Sequence, residues 1–386
     1  MRIAMLSWET LHSISVGGVG VHVTELAAAL QRKGHEVHVF TRMAEGQSEY
    51  QTIDGVHYHR CPFPLNPSFI DEIQSMCESF VHQVYACEDF MGAPFDVIHA
   101  HDWLASNAMI WIKQGRGRKG VFTIHSTEYG RCGNIFHGGQ SALVRDHERS
   151  AAYWADRVIA VSKTLREEVS WMYEVPDWKC DVIYNAVNAH NFDGWLDPKD
   201  VKERFGTAPL DPMVLFAGRL VDQKGPDVLV EAIPMVLHSF PQAKFVFAGD
   251  GELRGHCEAR VRELGIGHAC RFLGHKSGGE LAALFKACDA VCVPSRNEPF
   301  GIVVLEAWSA GKPVVATVNG GPREFVWHEV TGLKVYPHPE SVAWGLGTLF
   351  SNFEWARWMG ENGRRAAEEA FSWDVIGDQV LAAYHA

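Results

Sequence analysis

No two of the nine cysteines form a C-x-x-C pair, and an odd number of scattered thiols does not suit a disulfide framework. A reducing compartment fits them better, so the cytoplasm is the expected location. Long apolar runs are also missing: nothing approaches the ~18 residues of a membrane span. The apolar run after Met1-Arg2 ends at Trp8-Glu9, too short for the core of a secretion signal. These absences predict a chain that is neither exported nor inserted in a membrane. Basic residues are in the minority, 35 Lys and Arg against 47 Asp and Glu, for a formal net charge of −12. That balance excludes a general nucleic-acid binder, which needs a basic surface to displace counterions, so any phosphate site must be local. The amphipathic stretch from Ser68 to Met91 carries Asp71, Glu72, Glu78, Glu88 and Asp89, and an anionic bilayer would repel it. Low-complexity segments and internal repeats are absent.

What is present is ordinary globular material, 47% hydrophobic and 21% charged over 386 residues. At roughly 100 to 200 residues per domain, two domains are expected, each able to bury a core. Short apolar runs alternate with helical-period segments throughout, the pattern of parallel sheets covered by helices on both faces. The fold class is therefore α/β, with two doubly wound Rossmann-like domains. Strands are expected at 2–8, 35–40, 95–100, 121–124, 157–161 and 181–184, then at 213–217, 244–248, 270–273, 290–293, 313–317 and 332–335. A helix from Val21 to Lys33 would end at Gly34, suited to a left-handed cap. Between Asn185 and Pro212 the apolar periodicity dissolves into Asn, Asp, Gly and Pro, which reads as the interdomain linker. The expected domains are 1–187 and 188–372, with a last helix, 373–386, returning to the first.

Ligands of open parallel sheets sit beyond the carboxyl ends of the strands, so the loops there carry the chemistry. Ser295-Arg296-Asn297-Glu298-Pro299-Phe300-Gly301 follows one expected strand and opens a helix containing Glu306. Free amides at Gly301, Ile302 and Val303, backed by the helix dipole, suit a phosphate, and Glu306 lies two turns in, within reach of a ribose diol. Taken alone, a helix-entry acid and a solvated glutamate explain the two carboxylates equally well. Arg219 and Lys224, in Gly218-Arg219-Leu220-Val221-Asp222-Gln223-Lys224-Gly225, would neutralise a diphosphate, though a solvated basic turn is the blander account. Gly17-Gly18-Val19-Gly20 permits close approach of a phosphate or sugar or simply makes a tight turn; it is not the G-x-G-x-x-G dinucleotide fingerprint. His99-Ala100-His101-Asp102-Trp103 has metal-ligand chemistry, with His99 and His101 on one strand face. A buried histidine paired with an acid competes with that reading. His125 ends an apolar strand and is either a sugar contact or a core histidine.

Together these motifs resemble the retaining GT-B glycosyltransferases of family four and the neighbouring glycogen and starch synthases. The likeness spans Gly17 to Gly20, His101-Asp102-Trp103, His125, Gly218-Arg219-Leu220, Gln223-Lys224-Gly225, and Glu298 with Glu306. The resemblance implies a diphosphate held by Arg219, Lys224 and the helix start at Gly301, with Glu306 on the ribose and Glu298 on donor-sugar hydroxyls. His125 would face the sugar from the other domain, Gly18 would close the phosphate cage, and Asp102 would be the acid near the acceptor. It further implies a nucleotide-sugar donor and a carbohydrate acceptor as partners. No cofactor and no metal are expected, because side chains and a helix dipole replace the metal at the leaving group. Closure of the two domains would exclude water.

The H-A-H-D-W and P-S-R-N-E-P-F-G runs look closest to glycogen synthases, pointing to glucose transfer from ADP-glucose or UDP-glucose to an α-glucan. Ser15-Val16 before Gly17 departs from the Lys-x-Gly-Gly start of the bacterial enzymes. A family-four hexosyltransferase acting on a small sugar, lipid or glycoside is the close alternative, and a nucleotide-sugar 2-epimerase on the same fold the alternative of another class. A binding protein without turnover would not need the full set of charged residues, and no lysine marks a pyridoxal-dependent phosphorylase.

Overall fold

Apolar runs of three to seven residues become the strands of two mostly parallel sheets in the computed structural model, which describes residues 1–386. The chain divides into two units, Met1–Asn185 with Trp373–Ala386, and Ala186–Ser372.

The first unit holds eight strands: β1 (Arg2–Ser7), β2 (Glu36–Arg42), β3 (Tyr50–Ile53), β4 (Val56–Cys61), β5 (Val97–His101), β6 (Lys119–Ile124), β7 (Arg157–Ala160) and β8 (Cys180–Val182). Their order is β3-β4-β2-β1-β5-β6-β7-β8, parallel except for the antiparallel β3–β4 pair. That hairpin escaped the sequence reading. β4 alternates Val, His, Tyr, His, Arg and Cys, and β3 is largely exposed, so neither shows an apolar run. The available signal was Asp54-Gly55, where φ is 51° and 77°, the two positive values a two-residue hairpin turn requires. The first helix runs from Gly18 to Arg32, so it starts within the glycine loop rather than at Val21.

The second unit holds β9 (Met213–Ala217), β10 (Lys244–Ala248), β11 (Cys270–Phe272), β12 (Ala290–Val293), β13 (Val314–Thr317) and β14 (Gly332–Val335), in the order β11-β10-β9-β12-β13-β14 and all parallel. The segment read as a linker is largely built into this unit. Asp197 caps a helix, Pro198–Arg204, accepting from the Lys199 amide at 2.9 Å, and Lys202 pairs with Asp289 at 2.8 Å. An Asp cap followed by Pro at the first helical position is a helix start, which the surrounding turn residues obscured.

Apart from the β3–β4 hairpin, the strand order of each sheet reverses once, between β1 and β5 and between β9 and β12. There the outgoing loops splay to opposite faces and open a crevice at the strand ends. The motif-bearing loops follow β1, β5 and β6 in one unit, and β9 and β12 in the other.

The last helix, Trp373–His385, packs on Gly18–Arg32, with ion pairs Arg32–Asp374 at 2.9 Å and Lys33–Asp378 at 2.7 Å. Its Tyr384 hydroxyl reaches His99 Nδ1 at 2.7 Å, and its Tyr384 carbonyl accepts from Lys119 Nζ at 2.8 Å.

The helix that opens at Gly301, Ile302–Ser309, is set by close packing on Phe353–Ala370. Trp308 is fully buried and donates to the Thr331 carbonyl at 2.9 Å. A Cβ on Gly363 would stand 2.3 Å from the Trp308 ring, and one on Gly360 would stand 2.2 Å from the Gly311 carbonyl oxygen. Only glycine permits this approach. Gly363→Ala is therefore expected to cost about 1–3 kcal/mol through overpacking, read as a lower urea midpoint with an unchanged m-value.

Candidate active site

In the second unit, adjacency of β9 and β12 brings their loops into contact. The amides of Arg296 and Asn297 donate to the Gln223 carbonyl at 2.9 and 3.3 Å. This puts Lys224 against Glu298: Lys224 Nζ lies 2.8 Å from both carboxylate oxygens, and Ser295 Oγ donates to Oε2 at 2.8 Å. The Glu298 side chain is 6% exposed and Lys224 25%. A carboxylate so desolvated needs such pairing and hydrogen bonding to be buried. The turn after β13 locks in from the other side. Gly321 N donates to the Glu298 carbonyl at 2.8 Å, and a Cβ on Gly320 would stand 1.9 Å from that oxygen. The loop after β10 does the same for Arg219's loop: a Cβ on Gly249 would stand 1.8 Å from the Gly218 carbonyl oxygen.

Arg219 is exposed and has no ion pair, so its charge is available to a ligand. Arg296 is not: it forks onto Asp227 at 2.9 and 2.5 Å and lies 3.3 Å from Asp222. Gly301 has φ 96°, a left-handed value that turns the chain into the eight-residue helix, and Ile302 and Val303 stand in its first turn, partly exposed. Glu306 is half-buried without a hydrogen-bond partner, and loss of solvation pushes its carboxyl up to about 7. The sequence reading gave no role to Asp227, Gly249, Gly320 and Gly321, and placed Ser295 only at the start of the motif that carries Glu298. Asp227 and the glycines reach Arg296, Gly218 and Glu298 across separate loops, 69 residues apart for Asp227 and Arg296, a separation over which periodicity carries no signal.

In the first unit, Glu9 organises the glycine loop: its carboxylate accepts from the Val16 amide and from Gly17 N at 2.7 Å. Gly17 and Gly18 are exposed at the start of a helix whose first turn has no side-chain cap, leaving its amides to a ligand. Asp102 follows β5 in a left-handed conformation, φ 58°, rare for a residue with a Cβ. Its carboxylate is not turned outward: it accepts from the His125 amide at 2.8 Å, fixing the end of β6. Burial raises its pKa, opposed by the Arg131 charge and by the amides of His125 and Ser126.

His99 and His101 share a strand face but part company chemically. His99 spends Nδ1 on Tyr384 and Nε2 on Thr123 Oγ1, both at 2.7 Å, which leaves no nitrogen for a metal. His101 instead meets His125, Nδ1 to Nε2 at 3.2 Å, and His22, a residue the sequence reading did not single out. His22 Nδ1 is held by Asn185 Oδ1 at 2.7 Å, and the Nε2 atoms of His22 and His101 are buried without partners. Burial lowers the pKa of His125 to about 3, so the ring is neutral at pH 7. It is a hydrogen-bonding group rather than a cation. Behind it, Glu148 is fully buried and takes Arg131 Nη2, the Tyr173 hydroxyl and the Glu128 amide, pinning the Ser126–Glu128 loop.

Two families match in succession, Glycosyltransferase Family 4 over residues 16–191 and Glycosyl transferases group 1 over residues 198–366. An uncharacterized glycosyltransferase of Methanocaldococcus jannaschii is 37% identical over 389 residues, spanning 100% of this chain and 98% of the relative. The chain belongs to the group 1 glycosyltransferases. It is accordingly an enzyme that transfers sugar, and its two parallel-sheet units make the GT-B fold. A glycogen synthase of Mycobacterium tuberculosis is 28% identical over 400 residues, with 100% of this chain and 94% of that one covered. The solved structure of sucrose-phosphate synthase from Thermosynechococcus elongatus superposes with a TM-score of 0.84 at 25% identity, covering 100% and 98% of the two chains. No helix is long and apolar enough to cross a membrane.

Two outcomes follow, one from each unit. Because the folded Glu306 pKa lies above its ordinary value of 4.5, wild-type stability falls as pH rises from about 4.5 to about 7. Glu306→Gln is thus expected to stabilise the protein by ~1–3 kcal/mol at pH 8 and by almost nothing at pH 4, measured by urea denaturation at both values. Arg131→Leu should cost about 3–5 kcal/mol by stranding the buried Glu148 carboxylate, whereas Arg131→Leu combined with Glu148→Leu should recover most of that loss in the same measurement.

Proposed function

We propose that the protein transfers glucose from ADP-glucose or UDP-glucose to an α-glucan, with retention of configuration and without a metal ion. The observation that carries this reading is the pre-formed Lys224–Glu298 pair beside the unpaired Arg219 and the helix start at Gly301. Lys224 offers three protons and spends two directions on Glu298, leaving one for an anion. Arg219 adds a planar fork for a second phosphate oxygen. The amides near Ile302 and Val303 add the positive end of the helix dipole. Glu306 takes the ribose hydroxyls in this reading and Glu298 those of the sugar, with Gly17 and Gly18 approaching the phosphates and neutral His125 donating to or accepting from a sugar hydroxyl.

The C1–oxygen bond to the diphosphate breaks as the acceptor oxygen bonds C1 on the same face, and the acceptor proton passes to the departing phosphate. Charge grows on the leaving group, so fixed cations stabilise the transition state more than the ground state. The glucan acceptor is supported by the similarity to glycogen synthase across nearly its whole length. A small-sugar acceptor is the second reading, favoured by the likeness to sucrose-phosphate synthase and by Ser15-Val16 ahead of the glycines.

Nucleotide release from each donor, with and without glycogen, maltooligosaccharide or a sugar phosphate, tests this. Glucan-dependent release is expected; dependence on the sugar phosphate alone would select the second reading, and release without acceptor would point to hydrolysis or epimerisation. Lys224→Ala and Glu298→Ala should each lower the rate at least about 100-fold, the range for removing one transition-state donor, while the rate in EDTA should match the untreated enzyme.

A further inference from the structure

Beside the edge hairpin of the first sheet, away from the strand-end loops above, two imidazoles and a thiol converge. His38 of β2 and His59 of β4 approach with Nδ1 and Nε2 2.9 Å apart, and Cys87, on the helix Phe69–Met91, places Sγ 3.6 Å from the first and 4.0 Å from the second. The three atoms come from three elements, and none of these side chains serves the transfer site.

The tautomers are set by a carboxylate. His38 Nε2 lies 3.1 Å from Glu36 Oε1, which only accepts, so Nε2 carries the proton and the Nδ1 lone pair points at His59 and Cys87. Glu36 is itself held by Arg2 at 3.1 Å, and His57 stacks on His38 with ring centres 4.5 Å apart. A histidine oriented by a carboxylate on its far nitrogen is the usual outer support of a metal-ligating imidazole. The spacing of the donors is the second, independent argument. A triangle with sides of 2.9, 3.6 and 4.0 Å has a centre about 2.1 Å from each corner, against ~2.0–2.1 Å for zinc to nitrogen and ~2.3 Å for zinc to sulfur. With the ring centres 5.2 Å apart the two nitrogens face each other, so both rings turn toward the sulfur to take an ion at that centre.

We propose that His38, His59 and Cys87 form a binding site for a thiophilic transition-metal ion of the zinc class, clamping the Phe69–Met91 helix to the β2–β4 edge. Binding releases the Cys87 thiol proton to solvent, shifts the His59 proton from Nε2 to Nδ1 so that Nε2 can ligate, and leaves a fourth position for water. The site is independent of the transfer reading: no residue in it is assigned to donor or acceptor.

Full-length protein freed of metal and titrated with Co²⁺ alone tests the proposal. One equivalent should bind with a near-ultraviolet sulfur-to-cobalt band and the visible bands of four-coordinate cobalt, and Zn²⁺ should displace it. Cys87→Ser should abolish the sulfur band, and Glu36→Gln should weaken binding about 10- to 100-fold without altering the circular dichroism of the protein. Absence of the sulfur band from the wild type overturns the proposal, as does its persistence in Cys87→Ser. Cobalt bound without sulfur character also overturns it, since the all-histidine group His22, His101 and His125 would give that result. The wild-type spectrum decides even where a variant fails to fold.

Discussion

The second unit's site depends on one desolvated carboxylate. Glu298 accepts from Lys224 and Ser295 through its side chain and from Gly321 through its carbonyl, so a single residue ties together the loops after β9, β12 and β13. Burying that charge is affordable only because the partners are already in place. Lys224 is thereby held in place, which lowers the side-chain entropy lost when a ligand takes it up. Positive charge is kept in reserve at Arg219, which is exposed, rather than at Arg296, which Asp227 neutralises.

The first unit gathers its buried polar groups in a different way, without ion pairs at His101 and His125. Both are neutral by burial, and the acid beside them, Asp102, is turned onto the backbone amide of His125. The left-handed strain at Asp102 is tolerated because that amide bond fixes it. That bond positions His125, the residue that follows β6.

Close backbone approach recurs wherever a loop must be placed. Gly249 and Gly320 let neighbouring strand-end loops lie in direct contact, and Gly360 and Gly363 seat the helix that begins at Gly301. A methyl group at any of these points would displace a functional loop by more than the few tenths of an ångström that packed cores accommodate.

Most strands, the two sheets and the motif-bearing strand-end loops were legible in the sequence, because parallel strands buried on both faces leave continuous apolar runs and loop glycines punctuate them. The hairpin of β3 and β4 was not, since its histidines and exposed positions hide the pattern that Asp54-Gly55 alone betrays. Residue types could nominate Arg219, Lys224, Glu298 and Glu306. Only the tertiary structure decided that Lys224 and Glu298 are partners, that His99 is consumed by Tyr384 while His101 turns to His22 and His125, and that Asp102 faces an amide. The division has a physical cause: local pattern records which face of an element is buried, whereas a hydrogen bond between loops 74 residues apart depends on strand order, which is fixed only when the sheet assembles.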